Sequence, residues 1–489
     1  CQCPGCKALD AGDFDPTLNC ISVTDRYIHF LNQIVQKVTE KFPEVKFGFL
    51  VYVQYSRPPL RERLHSNLIP VITPITFCRA HSVENESCES RKKLREIVEK
   101  WSKISGSGLG LYEYGFNLAE VSVPFPMITK WSQDLKFFFS HNVRYWIPET
   151  MANFDTALPG LYLGIKLAWN PEENPEKILE ELYDKFYGPA AEYMKGYWQT
   201  MDDAWTKTTS HTGCVFGYQQ RFTQETMKKA RDAINEALRN CPENTLYYQR
   251  VKMVDESFNQ FELFMKMLRN FHSCNFSNIE SDAETWVRKQ TELGNKYEKN
   301  YAFCKSDRNW AVRYFTIFLY PAYKDAARIH QNYDILTAIT EWKYRVDKEN
   351  SGEKQGWFKR NFDDASWEII NPSEKTWADI GLWDYYGAVW YRKIVKIPNI
   401  PEGKKIYLWI GLGDDTFKVY VNGQHISYRT HDGKQLENFS GYCKPVSFDI
   451  TEAVEKGKEN QITIIGIRST INELGTGGIM SPVLIYRDK

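Results

Sequence analysis

Two short apolar segments, each carrying an acidic residue near its end, constrain the fold of this chain more than any other feature. The first segment, residues 109–117, contains Glu113, and the second, residues 143–150, contains Glu149. Between them, residues 126–141 carry apolar side chains at near-helical spacing. This pattern predicts a strand–helix–strand unit, whose two parallel strands end at the same edge of a sheet. In a closed barrel, the Glu113 and Glu149 carboxylates are expected to converge at that edge.

The alternation of strand and helix extends over residues 1–174 and indicates a parallel α/β fold. We count about four strands, whereas a closed (β/α)8 barrel has eight. We therefore expect residues 1–174 to be the C-terminal half of a (β/α)8 catalytic barrel, with the first half upstream of Cys1. The alternative is an open sheet with its own edge protection.

The rest of the chain predicts two further domains, so the protein is expected to be multidomain. Residues 175–350 indicate an α-helical domain, with helical spacing continuing through residues 310–349. Over residues 351–489, short β-rich runs alternate with Gly, Pro, Asn and Asp residues, which is typical of a β-sandwich. Within it, Asn422 and Gly423 predict a tight hairpin turn, because both residues accept positive φ at little cost.

Charge and hydropathy argue against several classes of partner. The 489 residues include 62 basic and 62 acidic side chains, so the net charge is zero and neither nucleic acid nor an anionic membrane surface is expected as a partner. No apolar run approaches the roughly 20 residues that span a bilayer, so membrane insertion is not expected. The sequence leaves the oligomeric state unknown.

The eleven cysteines leave two interpretations open. One is a small number of disulfides or buried thiols in an exported protein. The other is a zinc site, since thiolate and imidazole groups suit that metal; its candidate ligands are Cys1, Cys3, Cys6, Cys78 and His81. No motif demands a cofactor, although the Asp-Asp pairs at 363–364 and 414–415 leave structural calcium in the C-terminal sandwich open as well.

A series of motifs in the last third of the chain stands in the same order as the motifs of a known domain. In order, they are FDDASW at 362–367, VWYR at 389–392, GDDT at 413–416, VYVNG at 419–423, FDIT at 448–451, GKEN at 457–460 and GGI at 477–479. They resemble the galactose-binding-like jelly-roll domain that accompanies many glycoside hydrolases. The resemblance implies a structural role for most of these residues and leaves open whether this copy binds sugar.

A second set of motifs lies in the first 200 residues. These are CQCPGCKAL at 1–9, TDRYI at 24–28, FLVYVQYSRPP at 49–59, PFP at 124–126, LAWNP at 167–171 and FYGP at 186–189. They resemble the C-terminal half of the catalytic barrel of a bacterial group first described as a domain of unknown function. Part of that group is glycoside hydrolase family 163, endo-β-N-acetylglucosaminidases that act on complex N-glycans. The resemblance implies retaining chemistry, with a substrate-assisted route left open, and assigns Glu149 as general acid or acid/base and Glu113 as second carboxylate.

Two carboxylates in an aromatic-rich mouth suit glycoside hydrolysis, where one acid protonates the leaving oxygen and a second group handles the anomeric carbon. Aromatic faces stack on pyranose rings and Asn orients hydroxyl or acetamide groups; the candidate substrate-binding residues near strand ends are Tyr52, Tyr55, Tyr114, Asn117 and Trp146. The alternative role for each glutamate is that of a salt-bridged structural acid or of a ligand to a substrate hydroxyl. The alternative role for each of the five other side chains is packing in the protein core.

The sequence therefore predicts a glycoside hydrolase that acts on a glycan or glycoprotein substrate. Its expected location is secreted, periplasmic or at the cell surface of a bacterium. Two alternative functions remain open, a non-catalytic carbohydrate-binding protein and a glycosidase of the same barrel group acting on another polysaccharide.

Overall fold

The computed structural model divides into a parallel α/β part, a helical part and a β-sandwich. It describes residues 3–16, 20–117, 122–211, 213–297, 299, 310–383, 385–430, 432–469 and 476–489. None of the helices in these ranges is both long and apolar enough to cross a membrane.

The α/β part is built on a four-stranded, all-parallel sheet in which the strands lie side by side in chain order. The strands are β1 (Phe47–Val51), β2 (Leu68–Ile72), β3 (Leu109–Tyr114) and β4 (Val143–Glu149), and the helices are α1 (Thr24–Thr39), α2 (Glu89–Ile104), α3 (Ile128–Ser140) and α4 (Phe154–Trp169). The predicted strand–helix–strand unit is confirmed as β3, α3 and β4. A loop with one 3-10 turn, Val53–Tyr55, replaces the helix between β1 and β2.

The two faces of this sheet have different environments. Because side chains alternate along a strand, Val51 and Leu111 point to the face packed under the helices, where both are about 1% exposed. The opposite face carries Leu50, Tyr145 and Ile147, which are 41%, 48% and 44% exposed. We call these the helix face and the open face. A parallel sheet is ordinarily covered on both sides, so the open face is unusual.

The helical part follows directly. Its long helices are α5 (Pro175–Tyr187), α6 (Ala191–Thr206), α7 (Gln224–Arg239), α8 (Leu246–His272), α9 (Ile279–Lys296) and α10 (Tyr320–Asn332). Before α10, the short helix Trp310–Tyr314 continues through a π-helical stretch, Phe315–Leu319. Pro321 lies just after this stretch and lacks the amide proton that regular helical pairing needs, which accounts for the local widening.

The prediction of helix through residue 349 is wrong. Helix α10 ends at Asn332, and two strands follow, Tyr333–Ile339 and Trp342–Asp347. The first pairs with the C-terminal strand Val483–Asp488 and the second with Gly387–Lys396. The sandwich therefore begins near residue 333 rather than at 351, because partners far along the chain override the local helical spacing.

Two antiparallel sheets form the sandwich and enclose its core. One contains Gln424–Ile426, Thr416–Val421, Glu459–Arg468, Gly387–Lys396, Trp342–Asp347 and Glu368–Ile370, with Phe439–Ser440 beside Thr416–Val421; the other contains Val446–Asp449, Ile406–Ile410, Val483–Asp488 and Tyr333–Ile339. The predicted hairpin turn is confirmed, with Asn422 at φ 51° and Gly423 at φ 87° between paired strands.

A continuous apolar core joins the three parts. Between the α/β and helical parts, the Trp205 indole donates a hydrogen bond to the Pro124 carbonyl at 2.7 Å. Between the helical part and the sandwich, the Trp409 indole donates to Asp325 at 2.8 Å. Buried contacts of this kind fix the helical part as a packed support for both neighbours.

Candidate active site

Glu149 ends strand β4 and lies on the open face of the sheet. It pairs in register with Tyr114 of β3, and its carbonyl oxygen accepts a hydrogen bond from the Gly115 amide at 2.7 Å. Its side chain is half-buried and lies near that of Tyr112, which precedes Tyr114 by two residues and therefore points to the same face of β3. Burial raises the pKa of Tyr112, and the nearby Glu149 carboxylate raises it further, so the tyrosine stays protonated.

Glu113 does not converge with Glu149, and this prediction is wrong. In register Glu113 faces Pro148, one position before Glu149, so the two carboxylates point to opposite faces of the sheet. Glu113 is 4% exposed on the helix face and accepts a hydrogen bond from the Lys130 ammonium of α3 at 3.0 Å. Burial acts to raise the pKa of Glu113, but Lys130 and Arg91 outweigh it and hold that pKa below its ordinary value.

A group of aromatic and cationic side chains surrounds Glu149. The rings of Tyr112 and Tyr114 lie 5.8 Å apart in an edge-to-face arrangement. The Arg79 guanidinium lies 5.5 Å from the centre of the Tyr114 ring, within cation–π range. Burial, together with the neighbouring Tyr52, raises the pKa of Tyr114. Glu149, Tyr112, Tyr114, Tyr52 and Arg79 are called the Glu149 cluster below.

Sequence reasoning missed two members of this cluster. Tyr112 could have been found, because strand alternation puts it on the same face as Tyr114. Arg79 carries no such signal, since it lies in the long loop between β2 and α2. Its position over Tyr114 depends on how that loop folds back across the sheet edge.

Tyr52 and Tyr55 lie beyond the C-terminal end of β1, as predicted. The Tyr55 ring packs 4.7 Å from Tyr27 of α1 and 6.5 Å from Tyr52. Val53 between them adopts φ 46°, a left-handed conformation that β-branched residues rarely adopt. Strained backbone of this kind clusters at functional sites, where the surrounding structure enforces it.

Trp146 and Asn117 occupy different surroundings from those predicted. The Trp146 indole packs edge-to-face on Trp131 of α3 at 5.1 Å, on the helix face and close to Gly164 of α4. Asn117 is buried, and its amide donates to the Tyr218 hydroxyl of the helical part at 2.6 Å. Both positions favour the core-packing alternative, because strand register and the domain contact direct these side chains away from Glu149.

The cysteines show a different grouping from the expected one. The nine described cysteines are free thiols, and Cys1 and Cys304 lie outside the described residues. The ligand atoms of Cys78, His81, Cys88 and His211 lie within 4.8 Å of one another, and this group includes neither Cys3 nor Cys6. The N-terminal zinc site is therefore not formed by the described residues, although two of its expected ligands meet elsewhere.

The Asp-Asp pairs of the sandwich are occupied by protein donors. Asp364 forms ion pairs with Lys343 at 2.7 Å and Arg392 at 2.8 Å. Asp414 accepts a hydrogen bond from the Thr476 hydroxyl at 2.7 Å, and Asp415 accepts one from the Ser469 amide at 2.6 Å. These contacts are protein partners of three of the four carboxylates, and structural calcium at the pairs stays a prediction.

Comparison with known proteins gives a family match for the first part of the chain. Residues 1–199 match the family model described as "Domain of unknown function (DUF4838)". This range contains the whole parallel sheet and its four helices, and it ends within α6.

Two named relatives match shorter stretches. A β-glucuronidase of Paenibacillus borealis is 30% identical over 128 residues, which are 25% of this chain and 19% of that protein. A β-galactosidase of Thermoanaerobacter pseudethanolicus is 30% identical over 136 residues, which are 27% of this chain and 16% of that protein. The chain thus spans less than a fifth of the length of either curated relative.

Solved structures of β-glucuronidase from Ruminococcus gnavus are also similar to this chain. One has 22% sequence identity and a TM-score of 0.26, and the similarity covers 32% of this chain and 29% of that one.

Proposed function

We propose that this chain belongs to a glycoside hydrolase in which Glu149 is the general acid. The observation that carries the proposal is the position of Glu149, at the C-terminal end of a parallel strand, on the open face, beside the hydroxyl group of Tyr112. Enzymes built on parallel β/α units place their catalytic groups at this end of the strands. The names of the relatives, β-glucuronidase and β-galactosidase, support the same reaction class.

The proposal includes a barrel that extends beyond the four described strands. The open face carries half-exposed apolar side chains at Leu50, Tyr145 and Ile147, which suit a barrel interior better than a solvent surface. An apolar groove runs along the outer edge of β4, and its lining includes Ile165 and the almost fully exposed Trp169 of α4. A further β/α unit beside β4 would cover both surfaces.

The residues of the Glu149 cluster define what the site contributes chemically. Glu149 supplies one proton donor or acceptor, and the tyrosines supply hydroxyl groups and ring faces for a sugar. Because Glu113 faces the helices, we propose that another group acts at the anomeric carbon. That group is either a carboxylate from the rest of the barrel or the substrate's own acetamide, as in substrate-assisted hydrolysis.

The finer proposal concerns the substrate. The motif resemblance of the first 200 residues favours endo-β-N-acetylglucosaminidase activity on complex N-glycans, with retention of configuration. Activity on a β-glucuronide or β-galactoside is the alternative, and it rests on the names of the relatives. We further propose that the protein is exported to the periplasm or the cell surface, where such glycans are met.

Mass spectrometry tests both levels of this proposal. The natural full-length protein is incubated with a complex-type N-glycoprotein and, separately, with aryl β-glucuronides and β-galactosides. Release that leaves one N-acetylglucosamine on asparagine establishes the finer proposal, and cleavage of an aryl glycoside establishes only the broader one. The Glu149→Gln variant must lose whichever activity is found. Binding of glycan without any cleavage would instead support the carbohydrate-binding alternative.

A further inference from the structure

Two cysteines and two histidines meet where the loop that carries Arg79 contacts the segment around residue 211. The ligand atoms of Cys78, His81, Cys88 and His211 lie within 4.8 Å of one another. The Cys78 sulfur is 3.4 Å from Nδ1 of His81, and the Cys88 sulfur is 3.4 Å from Nδ1 of His211. We call these four residues the Cys/His cluster.

The four ligands come from two distant segments. Cys78, His81 and Cys88 belong to the loop between β2 and α2, and Cys88 immediately precedes the first turn of α2. His211 follows α6, in the segment that leads into the short turn at Val215–Gly217. The cluster therefore lies where the α/β part meets the helical part, and a shared ion would connect them.

The surroundings of His81 are those of a metal-binding histidine. Its Nε2 atom lies 2.8 Å from the Thr208 carbonyl oxygen, which only accepts, so Nε2 carries the proton. In the neutral imidazole Nδ1 then has a free lone pair, and this is the atom that faces the Cys78 sulfur. A backbone carbonyl that fixes the tautomer in this way is a regular feature of protein metal sites.

The loop backbone is held in place around the cluster. The Cys78 amide donates to the Ser90 hydroxyl at 2.9 Å, and the Arg91 guanidinium donates to the His81 carbonyl at 2.7 Å. Cys78, His81 and Cys88 are buried, and His211 is half-buried. The ligands are therefore arranged in advance by contacts that do not involve a metal.

A disulfide between Cys78 and Cys88 is the competing explanation. It would account for two thiols but not for the two imidazole rings, whose centres lie 5.1 Å apart beside those thiols. Two thiolates and two imidazoles are the ligand set of a structural zinc site, in which four protein ligands leave no position open for substrate. The ligand chemistry thus favours a metal ion over a disulfide.

We propose that Cys78, His81, Cys88 and His211 bind one Zn²⁺ ion in a closed, tetrahedral structural site. The ion fastens the loop between β2 and α2 to the segment after α6. Arg79 directly follows the first ligand, so the same ion holds the Arg79 guanidinium over Tyr114. The zinc proposal does not rest on the proposed glycosidase activity, because none of the four ligands belongs to the Glu149 cluster.

The first test is the metal content of the full-length protein purified without added metal. We expect about one zinc per chain by elemental mass spectrometry, and at least about tenfold less in Cys88→Ser and His211→Ala. Cys241→Ser is the matched control, since this buried thiol contacts the Thr245 hydroxyl outside the cluster and its loss leaves zinc unchanged. A wild-type protein without zinc overturns the proposal.

A second measurement keeps the test decisive if those variants do not fold. Cobalt exchanged into the wild-type protein should give the visible absorption of a tetrahedral ion and a thiolate-to-cobalt band. Alkylation without reductant, followed by peptide mapping, should label Cys78 and Cys88 only after chelation. A cross-linked Cys78–Cys88 peptide, or octahedral cobalt without thiolate bands, contradicts the site.

Discussion

The helix face and the open face of the parallel sheet handle an acidic residue in opposite ways. Glu113 and Glu149 lie at the C-terminal ends of neighbouring strands, yet one register step places Glu113 on the helix face and Glu149 on the open face. On the helix face, charge must be neutralised by protein groups, because water is excluded. On the open face, the Glu149 side chain is half-buried and keeps contact with solvent. The comparison teaches that the side of the sheet, more than residue type, decides which acid can do chemistry.

The helix face contains a buried network of two acids and two bases. Lys130 lies 3.0 Å from Glu113 and 3.1 Å from Asp134, and Asp134 lies 3.5 Å from Arg91. The Asp134 carboxylate also accepts a hydrogen bond from the Val83 amide at 2.7 Å, so the network reaches the loop that carries the Cys/His cluster. These charges balance and anchor α2 and α3 on the sheet.

The largest expected effect belongs to Glu149→Gln. The amide cannot donate an acidic proton, so kcat should fall about 10³-fold, within the range for loss of a general acid. The free energy of unfolding should change by no more than about 0.5 kcal/mol, because the side chain is half-buried and isosteric. Kinetics on the substrate identified by mass spectrometry, with urea unfolding in parallel, checks both. Retained activity excludes Glu149 as general acid.

Glu113→Gln should have the opposite profile. It leaves the buried Lys130 ammonium with Asp134 alone, and we expect a loss of about 3 kcal/mol in the free energy of unfolding. Adding Lys130→Met should recover part of that loss, since removal of both charges costs less than removal of one. A double-mutant cycle by urea unfolding measures the coupling. An unchanged unfolding free energy would show that the ion pair contributes nothing net.

The fold was predictable where neighbouring residues determine it. The four parallel strands and helix α7, Gln224–Arg239, follow from local periodicity. Tyr333–Ile339 was not predictable, because its partner Val483–Asp488 lies far along the chain. Only the packed sandwich makes this segment a strand.

The candidate site was predictable only in part, because the register between strands β3 and β4 cannot be read from the sequence. Sequence identified Glu149, Tyr52 and Tyr114, which lie at strand ends. It could not separate Glu113 from Glu149, because pairing between β3 and β4 shifts at a bulge between Leu109 and Gly110. This shift changes which residues of β3 and β4 lie opposite each other, and it cannot be recognised from the pattern of apolar residues.

The pH dependence of stability offers a finer test of the helix face. The pKa of Glu113 is lower in the folded protein than its ordinary value of 4.5. The ionised Glu113 carboxylate therefore makes its full contribution to the free energy of unfolding above pH 4.5. This contribution is lost as the pH falls through the pKa that Glu113 has in the folded protein. The stability difference between wild type and Glu113→Gln should be full at neutral pH and shrink below about pH 4.5. A difference independent of pH would point to packing instead of charge.

Tyr112→Phe should give a smaller effect on the open face. It removes the hydroxyl near the Glu149 carboxylate, and kcat/KM should fall about tenfold if that hydroxyl donates to Glu149 during catalysis, as expected for one hydrogen bond to a charged group. The loss should appear in kcat more than in KM if Tyr112 positions the acid for proton transfer. Tyr145→Phe, on the same face of β4, is the matched control and should leave both constants unchanged. Equal losses of kcat/KM in the two variants would show that the Tyr112 hydroxyl has no specific role in positioning Glu149.

The smallest expected effect is that of Ile147→Ser on the free energy of unfolding, which tests whether the open face is exposed to solvent. In the 489-residue chain, Ile147→Ser should change the free energy of unfolding by about 0.5 kcal/mol or less, since Ile147 is 44% exposed. Leu111→Ala, its counterpart on the helix face, should cost about 2–5 kcal/mol. Chemical denaturation of the two variants measures both losses in the free energy of unfolding, so that they can be compared. A loss above about 2 kcal/mol for Ile147→Ser would mean that another surface covers this face in solution, because only buried apolar side chains cost that much.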